Sequence, residues 1–239
     1  MARNRAYIFV APAQSCYWHR AVTVDPRPSW SARWGTPGSL YAGYRGGPWW
    51  GNAILTYGHL AFGVNRDVPI GITVQHNNGS TDGSDWSLAT EGGYKFRDGW
   101  FTHGPIVGLT LQRVSVNDFT ESGSFTSLSF GGQVRNSAIS ALGYRATIDW
   151  GAWRPFAQVV WNHELANTDR DVTAFLTTSS FAPGYSMPAV VLGRDWGTTS
   201  IGTTWKVGKN ITALGAFTAE FGQRDATSYG AQLGLNIAF

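Results

Sequence analysis

Residues 228–239 read SYGAQLGLNIAF, and every second residue in this stretch is apolar. Small or polar residues separate the apolar ones, which are Tyr229, Ala231, Leu233, Leu235, Ile237 and Phe239. A period of two predicts a β-strand with one apolar and one polar face. The apolar face continues over about eleven residues, the length of a tilted strand that crosses a membrane. We therefore expect one face of this strand to contact lipid and the other to face a wet lumen.

The same alternation recurs upstream, most clearly between residues 138 and 150. There Leu142, Tyr144 and Ile148 fall on one face, and Arg145 falls on the other. Segments of this kind after residue 38 predict about nine strands, at 39–46, 49–64, 85–96, 105–119, 138–150, 154–165, 195–207, 211–221 and 229–239. Single-chain bacterial barrels prefer an even number of strands. Either the N-terminal segment supplies the missing strands or the barrel is incomplete.

The predicted connections alternate in length. The short ones are 97–102, 151–153 and 208–210, and the long ones are 65–84, 120–136 and 167–194. Outer-membrane barrels have short periplasmic turns and longer extracellular loops, so we expect the short-turn side to be periplasmic. The short connection around 223–226 is an exception, because it falls on the long-loop side.

Large aromatic residues gather at the predicted periplasmic strand ends. They are Phe96, Trp100, Phe101, Trp150, Trp153, Trp205 and Phe239. Tryptophan and tyrosine rings concentrate where a membrane meets water, and barrels carry an aromatic girdle there. A soluble, lipocalin-like barrel has no reason to collect tryptophans at one rim, so this pattern favours a membrane barrel.

The composition excludes several other classes. Charged residues make up 14% of the chain, against about 25% in soluble domains. No stretch approaches the ~20 consecutive apolar residues of a membrane helix, and a closed barrel is the other structure that can span. The net charge of +3 forms no basic patch, so nucleic-acid binding is not expected. The single cysteine, Cys16, excludes an internal disulfide and a Cys-based zinc site.

Residues 1–38 fit the barrel pattern least well. Prolines interrupt the two apolar runs of this segment, at positions 12, 26, 28 and 37. The start of the chain faintly resembles a signal peptide ending in Ala-Pro-Ala, and the alternative is that these are ordinary residues. We therefore predict an atypical segment at 1–38, either a linker remnant or irregular first strands, and a barrel domain at 39–239.

Charged residues occupy the inward parity of the predicted strands, and both signs are present. They are Glu91, Lys95, Arg145, Asp149, Glu164, Lys206 and Glu220. Charges in a low-dielectric wall need partners or water, so we expect cross-strand pairs such as Arg145 with Glu164, or Asp149 with Lys206. A hydrated pore that tolerates an extended polypeptide and a packed, salt-bridged interior both fit this pattern.

From about Gly38 onward, several short motifs occur in a characteristic order. They are Trp50-Gly51-Asn52-Ala53 with Tyr57-Gly58, Gly79-Ser80-Thr81-Asp82-Gly83-Ser84-Asp85-Trp86, Gly93-Tyr94, Phe119-Thr120-Glu121-Ser122-Gly123, Trp161-Asn162-His163-Glu164 and the terminal Phe239. Together they resemble the C-terminal translocator domain of autotransporters, especially the branch attached to outer-membrane GDSL-type esterases. The resemblance implies an all-β, antiparallel transmembrane barrel of about twelve strands. The chain departs from the family pattern in its N-terminal segment, where no passenger, linker helix or first strands are recognisable.

The chain lacks the residues that the chemistry of the esterase branch requires. That chemistry needs a Gly-Asp-Ser nucleophile block and a downstream Asp-x-x-His pair, and neither is present. His163 and Glu164 are adjacent on a strand and should face opposite sides. His76 and Ser80 fall in a predicted polar loop, where Asn78-Gly79 signals a turn. We therefore expect no catalytic residue, no cofactor and no metal site, and no enzymatic activity in the barrel.

The function that the resemblance implies is secretion of an N-terminal passenger across the bacterial outer membrane and its anchorage there. Two alternatives are a small diffusion pore and a barrel-associated esterase or lipase. The last strand resembles the signal that the outer-membrane assembly machinery recognises, carried by Tyr229, Leu235, Ile237 and Phe239. The expected partners are outer-membrane lipid, that machinery and a passenger, and the expected state is a monomer.

Overall fold

The computed structural model of the chain describes residues 5–12, 29–34, 38–167, 169, 171–178, 184–189, 193–223 and 226–237. For residues 5–12, 29–34 and 226 it describes the backbone alone. The described residues form sixteen strands, which in chain order are β1 (Arg5–Pro12), β2 (Ser29–Trp34), β3 (Gly38–Gly46), β4 (Trp49–Ile70), β5 (Thr73–Tyr94), β6 (Phe96–Asp98), β7 (Phe101–Val116), β8 (Phe119–Thr120), β9 (Leu128–Phe130), β10 (Gln133–Ile148), β11 (Trp153–Glu164), β12 (Asp171–Leu176), β13 (Tyr185–Pro188), β14 (Asp195–Lys206), β15 (Ile211–Gln223) and β16 (Ala226–Ile237). Within these residues, no helix is long or apolar enough to cross a membrane.

Most strands belong to one antiparallel sheet. Its hydrogen-bonded order is β1-β3-β4-β5-β7-β10-β11-β14-β15-β16, with β2 beside β4 and β6 beside β7. From β3 to β16 this path contains nine strands, which correspond to the nine predicted segments. Tyr41 on β3 and Asn236 on β16 line the same cavity, which shows that the sheet curls. Among the described residues no pairing joins β16 to β1, so the barrel is open between these strands.

The period-two pattern determines which side chains the curled sheet turns outward. Leu142 and Tyr144 on β10 are exposed, and so are Val159 and Trp161 on the neighbouring β11. Leu233 on β16 reaches 89% exposure. An apolar outer surface of this extent is far larger than the patches that soluble monomers tolerate. It is the surface that a hydrocarbon environment requires, as the sequence predicted.

Four tight turns lie together at one end of the sheet, which we call the tight-turn end, while β4 and β5 are joined by a tight turn at Gly71 at the other end. Gly47, Gly99 and Gly151 occupy turns with φ of 59°, 63° and 63°, a left-handed conformation that favours glycine. These turns join β3 to β4, β6 to β7 and β10 to β11. A fourth short connection, residues 207–210, joins β14 to β15. The short connections at 97–102, 151–153 and 208–210 are therefore confirmed.

The predicted long loop at 65–84 is wrong. β4 and β5 each run for 22 residues, and their pairing continues from Asn65↔Asn78 to Ile70↔Thr73. At roughly 3.3 Å per residue such strands extend about 70 Å, well beyond an apolar band of about 25 Å. The outer halves are polar because they lie beyond the lipid, which no longer requires an apolar face, and that polarity resembles the composition of a loop.

The other two predicted loops contain strands as well. β8 and β9 lie within or beside 120–136, and β12 and β13 lie within 167–194. They form a second, four-stranded antiparallel sheet in the order β13-β12-β9-β8. The two loops therefore pair with each other, through Ala174↔Phe130 and Leu176↔Leu128.

Candidate functional site

The inner face of the curled sheet encloses a polar cavity of about 730 Å³ near the tight-turn end. Five cationic side chains line it, and they are Arg45, Lys95, Arg97, Arg145 and Arg154. They are brought together by β3, the β5–β6 junction, β6, β10 and β11. Inward parity on each strand places them on one surface, since alternate residues of a strand point to the same side.

Two of these cations rest on aromatic rings. The Lys95 Nζ lies 5.5 Å from the centroid of the Trp50 ring, and the Arg145 Cζ lies 4.7 Å from the Phe156 centroid. A ring face carries partial negative charge and attracts a cation at such distances. The aromatic side chains therefore help to hold these two cations in place.

A smaller cavity of about 240 Å³ continues along the same face. It shares Asn52 and Ile106 with the larger one, and Glu91 contributes its carboxylate to the lining. The Asn162 amide donates a hydrogen bond of 2.8 Å to the Thr198 hydroxyl across β11 and β14. The inner face thus forms one continuous groove, which is mostly polar in the larger cavity and lined by both polar and apolar side chains in the smaller one.

The structure brings together only some of the predicted inward charges. Lys95 and Arg145 line the larger cavity and Glu91 the smaller one, while Lys206 and Glu220 line neither. That the predicted set faces a lumen in the complete barrel stays a prediction.

Both predicted ion pairs are wrong. Arg145 is opposite Gln158, six positions along β11 from Glu164, so the strand register keeps the two charges far apart. Glu164 instead accepts hydrogen bonds from the Ser137 hydroxyl and from the backbone N–H of Ala138, the latter at 2.7 Å.

Asp149 also has a different partner from the predicted one. It accepts a hydrogen bond from the Arg154 Nε, across the turn that joins β10 to β11. Arg154 lies only five residues further along the chain, so closing this turn brings the two side chains together. Lys206 meets the same turn through its backbone N–H, which donates to the Ala152 carbonyl at 2.9 Å.

The predicted aromatic girdle lies at the tight-turn end. Trp150 is 75% exposed, and Phe96, Trp100, Trp153 and Trp205 are exposed too. Trp153 and Trp205 are directly opposite on β11 and β14, and their rings stack with centroids 4.9 Å apart. Within the predicted assembly signal, Tyr229, Leu235 and Ile237 are exposed on the edge strand β16. Phe239 lies outside the described residues.

At the opposite end, a buried ion pair joins the long hairpin, which is formed by β4 and β5, to the loop after β7. The sequence analysis missed this pair. Arg66 donates through Nε and Nη2 to the Glu121 carboxylate, at 3.0 and 2.5 Å. The backbone N–H of Leu128 also donates to this carboxylate, at 3.0 Å. The Glu121 side chain is 0% exposed and that of Arg66 is 19% exposed. The hydrogen bond to Glu121 raises the pKa of the Arg66 guanidinium above its ordinary value.

Asn77, which is 1% exposed, is the second anchor of this loop. Its amide donates to the Thr126 hydroxyl at 2.8 Å and accepts from the Ser124 and Ser127 hydroxyls at 2.7 and 3.0 Å. A buried amide with its hydrogen-bonding groups paired fixes one loop conformation. We call Arg66, Asn77, Glu121 and this loop the hairpin–loop clamp. In the sequence, the only sign of this clamp is the Phe119–Gly123 motif, which contributed to the family resemblance and not to a prediction of the clamp.

The candidate catalytic pairs are not assembled. His76 and Ser80 both lie on strand β5, four positions and therefore about 13 Å apart; their predicted placement in a loop is wrong. The His76 Nδ1 lies 2.7 Å from the Asp67 carboxylate, and the His163 Nδ1 lies 2.8 Å from that of Asp195. Among the described residues, no group of three His, Cys, Asp or Glu side chains could hold a metal ion.

An apolar outer surface, a polar inner groove and an aromatic rim at the tight-turn end together define a β-barrel of the bacterial outer membrane. The model of the family described as autotransporter beta-domain matches residues 21–218. The chain belongs to this family of outer-membrane translocators.

Individual proteins are also similar to this chain. A Pseudomonas putida protein, described as an uncharacterized protein in the trpE-trpG intergenic region, is 33% identical over 146 residues, 59% of this chain and 24% of that protein. Lipase 1 of Photorhabdus luminescens is 22% identical over 184 residues, 74% of this chain and 27% of that protein. The chain thus spans about a quarter of the length of these curated relatives. The translocator domain of autotransporter NalP from Neisseria meningitidis has the same fold, with a TM-score of 0.68 at 16% identity over 89% of this chain and 68% of that one.

Proposed function

We propose that this barrel secretes an N-terminal passenger through the outer membrane and then anchors it at the cell surface, by binding and geometry alone. The inner face forms a continuous groove with polar side chains, enclosed by a sheet whose outer face is apolar, and this arrangement supports the proposal. An extended polypeptide needs a wet path whose walls supply hydrogen-bonding groups, and this groove has them in Asn52, Gln158, Asn162 and Thr198.

The experiment fuses a reporter domain to the N-terminus of the chain and measures its exposure to protease on intact cells. We expect a surface-exposed reporter and a barrel in the outer-membrane fraction. The matched control carries Leu142→Asp and Val159→Asp on the lipid-facing side, which should prevent insertion. A barrel that is folded in the membrane while its reporter remains in the periplasm would contradict the proposal.

The barrel itself is proposed to be non-catalytic. Lipase 1 matches over only 27% of its length, so any esterase activity of a full-length protein is assigned to the passenger. Incubating the refolded chain with a serine-reactive fluorophosphonate tests this assignment. We expect no labelling, and labelling lost on Ser80→Ala would support a lipolytic barrel instead.

A diffusion pore is the second candidate, because the same groove could pass small solutes. Single-channel recording of the reconstituted chain distinguishes the two functions. A wide, constitutively open conductance without secretion of a fused reporter would favour the pore.

The remaining assignments follow from the translocator function. We propose that residues 39–239 are the barrel domain, and that β1 and β2, which lie within 1–38 and pair with β3 and β4, are irregular first strands. Outer-membrane lipid covers the apolar face of a monomer.

The assembly machinery recognises Tyr229, Leu235, Ile237 and Phe239 on the last strand. Deleting Phe239 should reduce outer-membrane insertion in cells, and unchanged insertion would contradict this role.

A further inference from the structure

The larger cavity carries charge of one sign. Arg45, Lys95, Arg97, Arg145 and Arg154, which we call the cationic mouth, line it, and in the described part of the chain no Asp or Glu does. Asp149 lies beside the mouth and is bound to Arg154. Neighbouring cations in a wall of low dielectric constant repel one another, and an anion between them removes this repulsion.

The cationic mouth lies at the tight-turn end. Arg45 precedes the turn at Gly47 by two residues, and Arg97 precedes the turn at Gly99 by two residues. Arg154 directly follows Trp153, which pairs with Trp150 across the third turn. Because short turns are periplasmic in this class of barrel, the mouth is the first part of the lumen that a chain entering from the periplasm meets.

The cationic groups are presented for contact with a ligand. Arg45, Arg97 and Arg154 are exposed to the cavity, whereas Lys95 and Arg145 rest on Trp50 and Phe156. In the described part of the chain, no carboxylate lies within salt-bridge distance of Arg45 or Arg97. A guanidinium binds a carboxylate through two parallel hydrogen bonds, so these residues suit carboxylate recognition.

We propose that the cationic mouth binds the carboxylate side chains of an extended, acidic polypeptide segment. The inference rests on the proposed function, because the segment belongs to the passenger during its passage. A cavity of about 730 Å³ has the volume of a small-ligand site, so it holds a few extended residues and no folded domain.

The test measures binding of fluorescein-labelled hexaglutamate to the full chain refolded in detergent, by fluorescence anisotropy. Hexaglutamine and hexalysine with the same label are the comparison peptides. We expect hexaglutamate to bind most tightly and to lose affinity as the NaCl concentration rises, because salt screens exposed charges. Binding of hexalysine with equal affinity would overturn the proposal.

Two matched variants locate the site. Arg45→Gln/Arg97→Gln removes two exposed cations from the mouth and should weaken hexaglutamate binding roughly three- to tenfold. Arg113→Gln/Lys209→Gln removes the same charge from positions outside both cavities and should leave binding unchanged. Equal effects of the two variants would overturn the proposal, and heat-shifted gel mobility establishes that each variant is folded.

Surface display of the fused reporter separates this inference from the proposed function. A chain that displays the reporter but does not prefer hexaglutamate contradicts the cationic mouth and leaves the translocator function intact. A chain that prefers hexaglutamate and fails to display the reporter contradicts the translocator function, and the anion site then stands as a property of the barrel.

Discussion

Replacing Glu121 by glutamine should release the loop after β7 from the long hairpin. The carboxylate accepts two hydrogen bonds from Arg66 and one from the Leu128 N–H, and its side chain is fully buried. Breaking a buried ion pair costs about 3–5 kcal/mol. Glutamine retains one acceptor oxygen, and the partly exposed Arg66 regains some hydration. We therefore expect the local opening free energy to fall by about 2 kcal/mol, a roughly 30-fold larger open population.

Amide hydrogen exchange of the refolded chain, read by mass spectrometry over residues 119–130, measures this opening. Arg66→Gln should have a similar effect, and the double variant should be no worse than either single one, because all three remove the same pair. Asp98→Asn, at the opposite end and exposed, is the matched control. Exchange in Glu121→Gln within twofold of wild type, or fully additive effects in the double variant, would refute the role of the clamp.

Three further perturbations test other parts of the fold. Gly99→Val places a β-branched residue at φ 63° and should lower the free energy of unfolding by at least about 1–2 kcal/mol, measured by urea titration in vesicles. Leu142→Arg, on the lipid-facing side, should lower the free energy of unfolding by about 2–4 kcal/mol in the same assay if position 142 lies near the bilayer midplane. Thr147→Arg, on the cavity side, should lower it much less. Equal losses in the two variants would contradict the assignment of faces. Trp153→Ala removes the stack on Trp205 and should cost about 0.5–1.5 kcal/mol beyond the lost area, which a double-mutant cycle with Trp205→Ala isolates.

Strand positions and faces were predictable because they follow from local chemistry. Alternate residues of a strand point to opposite sides whatever the strand pairs with, so Leu142 and Arg145 could be assigned to opposite faces before any partner was known. The short connections at 97–102 and 151–153 were predictable for the same reason, since a tight turn, such as those at Gly99 and Gly151, needs its conformation within a few residues.

The long hairpin was not predictable in this way. The lipid that imposes alternation on residues 49–64 is absent beyond the membrane, so the outer halves of β4 and β5 need no apolar face toward it. The pattern therefore fades although the strands continue. What holds the outer halves together is the pairing of Asn65 with Asn78 and of Ile70 with Thr73, and a loss of alternation does not report that pairing.

The pattern of residues along the chain is enough to predict a barrel with an apolar outer face, a polar inner face, an aromatic rim and short turns at one end. Which charges meet depends on the three-dimensional arrangement of the strands and loops. Register places Arg145 opposite Gln158 instead of Glu164. Arg66 reaches Glu121 across 55 positions of the chain, and the cations of the mouth come from separate strands. Such contacts depend on curvature, register and loop pairing between distant segments, whereas the strand pattern depends only on neighbours along the chain.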